Sequence, residues 1–213
     1  MGDHAAEIEG LYRRCALLRQ RFQDAALRSV PVPKVVEQAG RLGLPVTQEL
    51  AQVSEGDLAF AFDLSVYTAP PGRSRAIDRV ARGQRAAQGE AALVLSALTS
   101  AWFSVFRVLG PHPEAGLLLE DVLLGGQVWA LDEALAESAA PGTILASRIG
   151  RVRGFAVTCG VVAVLDEAML AGFRGVLSAA DVPVGDMVAD PRFATLIYQR
   201  ALGFHIEDAL GLP

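Results

Sequence analysis

The residue types able to do chemistry are thinly spread in this chain, and only the arginines cluster. Arg75, Arg79 and Arg82 fall at steps of four and three on one helical face, with Arg73 and Arg85 close by. Arginines so arranged can neutralise phosphates or pair with an acidic partner. The same pattern also reads as a solvated helix face in an arginine-rich chain. No aromatic residue is interleaved with them, as stacking on nucleic-acid bases would require. Lys34 is the only lysine, so almost all positive charge is arginine; with heavy alanine use, this fits GC-rich coding.

The remaining candidates are isolated. Cys15 sits inside an apolar helical stripe, and Cys159 shares a strand face with Phe155, Val157 and Val161. A reactive thiolate needs an exposed, electropositive setting, so both read as buried, reduced thiols. His4, His112 and His205 have no second histidine or cysteine at metal-ligand spacing, so no metal is expected. Glu120-Asp121 and Asp132-Glu133 are adjacent doublets, and neighbours on a strand point to opposite faces. They read as solvated turn charges. No serine lies in a nucleophile elbow, and no glycine run has dinucleotide or P-loop spacing, so no cofactor and no catalytic residue is assigned. A hydrolase would need a site assembled from distant loops, with His112 and Asp121 as its first members.

These residues must be positioned by three successive regions. Residues 1–101 read as helical. Ile8, Leu11, Tyr12, Cys15, Leu18, Phe22 and Ala25 form one amphipathic stripe ending before Pro31, and a shorter helix over Val35 to Leu42 stops at Gly43. Asp57–Tyr67 alternates like a strand, yet Ser54-Glu55-Gly56-Asp57 resembles a capping box, which favours a nearly buried helix. Ser74–Arg82 and Glu90–Ala101 complete the set.

Residues 102–165 read as short apolar strands punctuated by Pro111–Gly116, Gly125-Gly126, Pro141-Gly142 and Arg153-Gly154. Both faces of several strands are apolar, so helices are expected to wrap part of the sheet. Residues 166–213 return to helix, with Asp190-Pro191 as a start signal. The expectation is an α+β chain forming a single compact unit: a helical N-terminal half, a small antiparallel β-barrel or bent sheet of about five strands, and two C-terminal helices.

Composition narrows the class. The chain has 213 residues, 52% hydrophobic and 20% charged, which describes a folded globular protein. A net charge of −5 gives no global attraction to nucleic acid. The polar amino terminus does not lead into an apolar core, and the longest apolar run, near Phe155–Leu165, is short for a bilayer. A cytoplasmic protein without membrane contact is expected.

The segment order from Gly56 to Arg148 carries a resemblance. Asp57–Leu64, Gly72–Arg79, Ser104–Val108, Gly116–Gly126 and Ala140–Arg148 follow one another as in the body of a broad group of uncharacterised bacterial proteins, many ending in a SEC-C zinc motif. The group shares a hydrophobic-x-Asp-Leu-Leu-x-Gly turn and a Pro-Gly-Asp step into a strand ending in Ala-Arg. The chain departs from the group at its tail, where only His205 follows Cys159, so the zinc motif itself is absent. The resemblance implies no activity to carry over.

Together these readings describe a protein of unknown function, expected to be a non-enzymatic binding or scaffold protein with a protein partner. The alternatives are RNA or single-strand nucleic-acid binding through the arginine helix and barrel surface, and the hydrolase above. Phe193, Ile197, Phe204 and Ile206, together with a mean hydropathy of +0.33 over the whole chain, further suggest a homodimer through the terminal helices.

Overall fold

Sequence periodicity and turn chemistry set the elements seen in the computed structural model, which describes residues 2–45, 53–180 and 182–203. Five helices come first: α1 (Gly2–Arg28), α2 (Val32–Arg41), α3 (Glu55–Tyr67), α4 (Ala76–Gly83) and α5 (Gly89–Thr99). The ambiguous segment is helical, and its start is fixed as the capping-box pattern suggested: Ser54 Oγ accepts from the Asp57 N–H at 3.1 Å. Five strands follow: β1 (Trp102–Pro111), β2 (Leu117–Asp121), β3 (Gln127–Leu131), β4 (Ile144–Val152) and β5 (Phe155–Leu165). A short α6 (Glu133–Ser138) lies between β3 and β4. The tail carries α7 (Glu167–Ala179), a six-residue α8 (Val184–Ala189) and α9 (Pro191–Ala201), the last capped by Asp190.

The strands pair in a closed ring in the order β1-β2-β3-β5-β4. The expected sheet was antiparallel throughout, whereas β3 and β5 run parallel. An odd number of strands in a closed ring cannot alternate direction at every contact, so one parallel pair is unavoidable. The ring's interior is filled by Phe106, Leu119, Leu145 and Ile149 among others, and Leu135 of α6 joins them. Leu131 of β3, Val152 at the end of β4 and the first half of β5 pack under α1, α4 and α5, while β1, the start of β4 and the end of β5 pack under α2, α3, α7 and α9. Apolar residues on both strand faces are thus explained by a filled barrel with helices on its outside.

Phe193 and Ile197 belong to this wrapping. They are 8% and 0% exposed and pack with Phe103 and Val105 on the barrel's outer face. They cannot supply the dimer contact expected of them, because their burial is already complete within the chain. Phe204, Ile206 and His205 lie outside the described residues.

One close approach fixes α5 against the sheet. A Cβ at Gly150 of β4 would sit 2.5 Å from the Ala97 carbonyl oxygen, so only glycine lets the helix backbone reach the strand. Gly150→Ala should therefore destabilise the chain by about 2 kcal/mol, the usual scale of overpacking in a rigid core. A urea titration followed by circular dichroism checks this, with a shifted midpoint and unchanged slope as the expected result.

Candidate functional site

Two charged residues are buried among apolar neighbours: Asp63 within α3 and Arg148 within β4. Neither could be buried without a partner, and each is the other's. Arg148 Nε and Nη2 donate to the two oxygens of Asp63 at 3.1 and 3.0 Å, and both side chains are nearly fully enclosed. The Tyr198 hydroxyl of α9 donates to Asp63 Oδ2 at 3.1 Å. The Arg148 guanidinium lies 4.7 Å from the Tyr67 ring centroid and 5.6 Å from that of Phe103. Burial works against the Arg148 charge, but the Asp63 carboxylate outweighs it and raises the guanidinium above its ordinary range.

A bulge in β5 lies opposite Arg148. The β4–β5 register jumps between Ser147 and Ile149, and Gly160 takes φ +88° to allow it. Three carbonyls around the bulge are picked up by side chains. Arg19 Nη1 donates to Thr158 O at 2.5 Å, Gln23 Nε2 to Cys159 O at 2.7 Å and Ser147 Oγ to Val161 O at 2.8 Å. Gln23 also donates to the Tyr67 hydroxyl at 3.2 Å. Burial pushes the Cys159 thiol up to about 11, while burial and the nearby Cys159 raise Tyr67 well above its ordinary value. Cys15 and Cys159 are both free and buried, as their apolar faces suggested.

This buried network forms the floor of a cleft of about 570 Å³ between the α3–α4 loop, the start of β1 and the α8–α9 corner. Arg148, Tyr67 and Phe103 line it from below, and Arg73, Trp102 and Ala189 stand around it. A second groove of about 1100 Å³ shares the wall Thr68–Pro71 and carries Lys34, Arg41, Arg73, Arg79 and Arg192 beside Glu37, Asp186 and Asp190. Lys34 donates to the carbonyls of Ser65 and Thr68 at 3.0 and 2.9 Å, capping the C-terminal end of α3. Burial, and then Arg79, lower its pKa.

The arginines singled out in the sequence are brought to one side but are not equivalent. Arg75 is half-buried: Nε and Nη2 donate to Asp78 at 2.8 and 2.6 Å, and Nη2 also to Thr99 O at 2.6 Å. It is a strut between α4 and α5. Arg79 reaches Ser74 O at 2.9 Å and Ser29 Oγ at 3.3 Å and stays exposed. Arg73, Arg82 and Arg85 are exposed, and none of these three, nor Arg79, forms an ion pair among the described residues.

The other candidates do not converge. His112 stacks on Trp129 with ring centroids 4.1 Å apart. Asp121 is buried at the other end of the β1–β2 pair, where it accepts from Ser104 Oγ at 2.7 Å and from the Leu124 N–H at 2.9 Å. Six strand residues separate their positions, about 20 Å at the usual rise. Asp132 is no free turn charge, for it caps α6 and accepts from the Thr158 hydroxyl. No cluster of potential metal ligands occurs among the described residues.

A family model described as a family of unknown function, DUF7986, matches residues 18–171. The chain belongs to this family. The match runs from α1 to the start of α7 and so takes in the whole barrel, Asp63 and Arg148. It agrees with the unknown-function side of the resemblance and says nothing of a SEC-C motif. No curated protein and no solved structure matches the chain. The family's description carries no activity, and none of the described helices is long and apolar enough to cross a membrane.

Removing one partner of the ion pair strands the other. Asp63→Ala should cost about 3–5 kcal/mol, and Asp63→Ala with Arg148→Met should cost less than the two single changes added. Urea unfolding of the four proteins of this cycle tests it. The thiol supplies a pH signature. Its folded pKa lies above its ordinary 9.0, so its contribution is intact below pH 9 and lost as pH rises toward about 11. Tyr67 and Tyr198, raised chiefly by burial, act in the same direction above pH 10. The loss due to Cys159 is on the order of 3 kcal/mol. Stability measured from pH 8 to 11 should fall less steeply for Cys159→Ala than for the native chain.

Proposed function

We propose that this family member is a cytoplasmic, non-enzymatic binding protein that engages an acidic protein segment through its arginine face. The observation that carries this reading is the exposure of Arg73, Arg79, Arg82 and Arg85 without a carboxylate partner among the described residues. Charge left unpaired on one short stretch is available to an incoming acidic group. The neighbouring groove favours a polypeptide over a phosphate backbone. Its Glu37 and Asp190 are already paired with Arg41 and Arg192, and its walls include Pro31, Pro70, Pro71 and Pro191, a lining suited to an extended chain. Stretch 73–85 offers no aromatic residue for base stacking. In this reading the chain works as one compact unit, with the barrel as a rigid base for the loop and α4.

Fluorescence anisotropy with the full chain separates the partners. A labelled glutamate-rich peptide should bind, with affinity falling as salt rises. Arg79→Glu with Arg82→Glu should weaken it by about tenfold or more. A single-stranded RNA of equal length should bind more weakly at every salt concentration. Preference for RNA, or indifference to the double charge reversal, overturns the reading.

A further inference from the structure

The guanidinium of Arg148 has one direction left open. The Tyr67 and Phe103 rings lie within cation–π distance, and Nε and Nη2 are held by Asp63. Nη1 has no acceptor among the described residues. Arg148 keeps 7% of its surface exposed, and Nη1 is not among the enclosed side-chain atoms lacking a partner there, Arg19 Nε and Ser65 Oγ. The opening that Arg148 lines is the 570 Å³ cleft. An arginine held side-on by one carboxylate keeps its end-on fork, Nη1 with the second Nη2 hydrogen, for another planar acceptor.

We propose that this cleft binds a small organic monocarboxylate, its head on the free Arg148 fork and its apolar body against Trp102 and Val188. The charge balance selects a monoanion. Arg148 is neutralised by Asp63, Arg75 by Asp78, and Asp190 by Arg192, which leaves Arg73 as the one cleft charge without a partner among the described residues. A phosphate dianion would meet too little positive charge. The volume is that of a small-molecule pocket, and Trp102, Pro71, Val188 and Ala194 supply apolar wall. A fork whose position is set by two rings and a carboxylate is already ordered before the ligand arrives, so little side-chain entropy is lost on binding.

Titration calorimetry on the full chain tests this with 4-phenylbutyrate, 4-phenylbutanol and phenyl phosphate as probes. The carboxylate should bind with a Kd of about 1 mM or tighter. The neutral alcohol and the phosphate should each bind about tenfold more weakly. Arg148→Lys keeps a cation for Asp63 but removes the fork, and should abolish the preference for carboxylate over alcohol. Because that change touches the core, Ala189→Phe provides a second variant at an exposed position on the cleft wall. It should keep the native circular dichroism spectrum and lose binding. No binding of 4-phenylbutyrate at 10-fold above the expected Kd, equal binding of the alcohol, tighter binding of the phosphate, or unchanged binding in Ala189→Phe would each overturn the proposal. The acidic-partner reading is tested through Arg79 and Arg82, which do not line this cleft, so either proposal can fail alone.

Discussion

The structure turns on a charge that has nowhere else to go. Arg148 lies in a strand whose neighbours fill the barrel on one side and meet helices on the other, so its guanidinium must be neutralised inside the protein. Asp63 does this from α3, and Tyr198 occupies one Asp63 oxygen from α9. One buried ion pair thereby fixes two helices, distant in sequence, on the same strand. A hydrophobic pair of similar volume could hold these elements as firmly, but it would not set their orientation by a two-point fork.

The ion pair also accounts for irregularities around it. The β5 bulge displaces backbone carbonyls from the ladder opposite Arg148, and Arg19, Gln23 and Ser147 replace the missing donors. Gln23 continues to Tyr67, whose ring packs by the guanidinium. The polar residues under the cleft therefore form one connected set. Such sets hold their geometry because breaking any link leaves a buried group unsatisfied.

Much of the architecture was legible in the sequence because it is written in local signals. Ser54 and Asp57 announced the start of α3, Asp190-Pro191 that of α9, and the Gly- and Pro-bearing turns divided residues 102–165 into strands. The apolar faces on both sides of those strands correctly implied helices outside the sheet. The site was less legible. The arginine cluster was visible by spacing, yet Arg75 proves to be a strut, since its partners Asp78 and the Thr99 carbonyl meet only through the packing of α4 on α5. A partial signal for the ion pair was present: Asp63 and Arg148 are each flanked on both sides by apolar or small residues, and a charge so placed must find a buried counter-charge.

What the sequence determined by itself was whatever depends on neighbours a few residues apart: helix caps, turn positions, strand periodicity and the burial of both cysteines. The tertiary structure alone decided which apolar faces meet, which strand pair is parallel, and which charge answers which. Closure of five strands into a ring forces the parallel β3–β5 contact, a global parity that no local window contains. Asp63 and Arg148 lie 85 positions apart, and their pairing rests on the register of β4 and the seating of α3. Phe193 and Ile197 looked free for a second copy because their own barrel's outer face was invisible in one dimension. Local chemistry is set by covalent proximity, whereas burial is set by the whole chain's packing, and it is burial that gives a buried charge its partner.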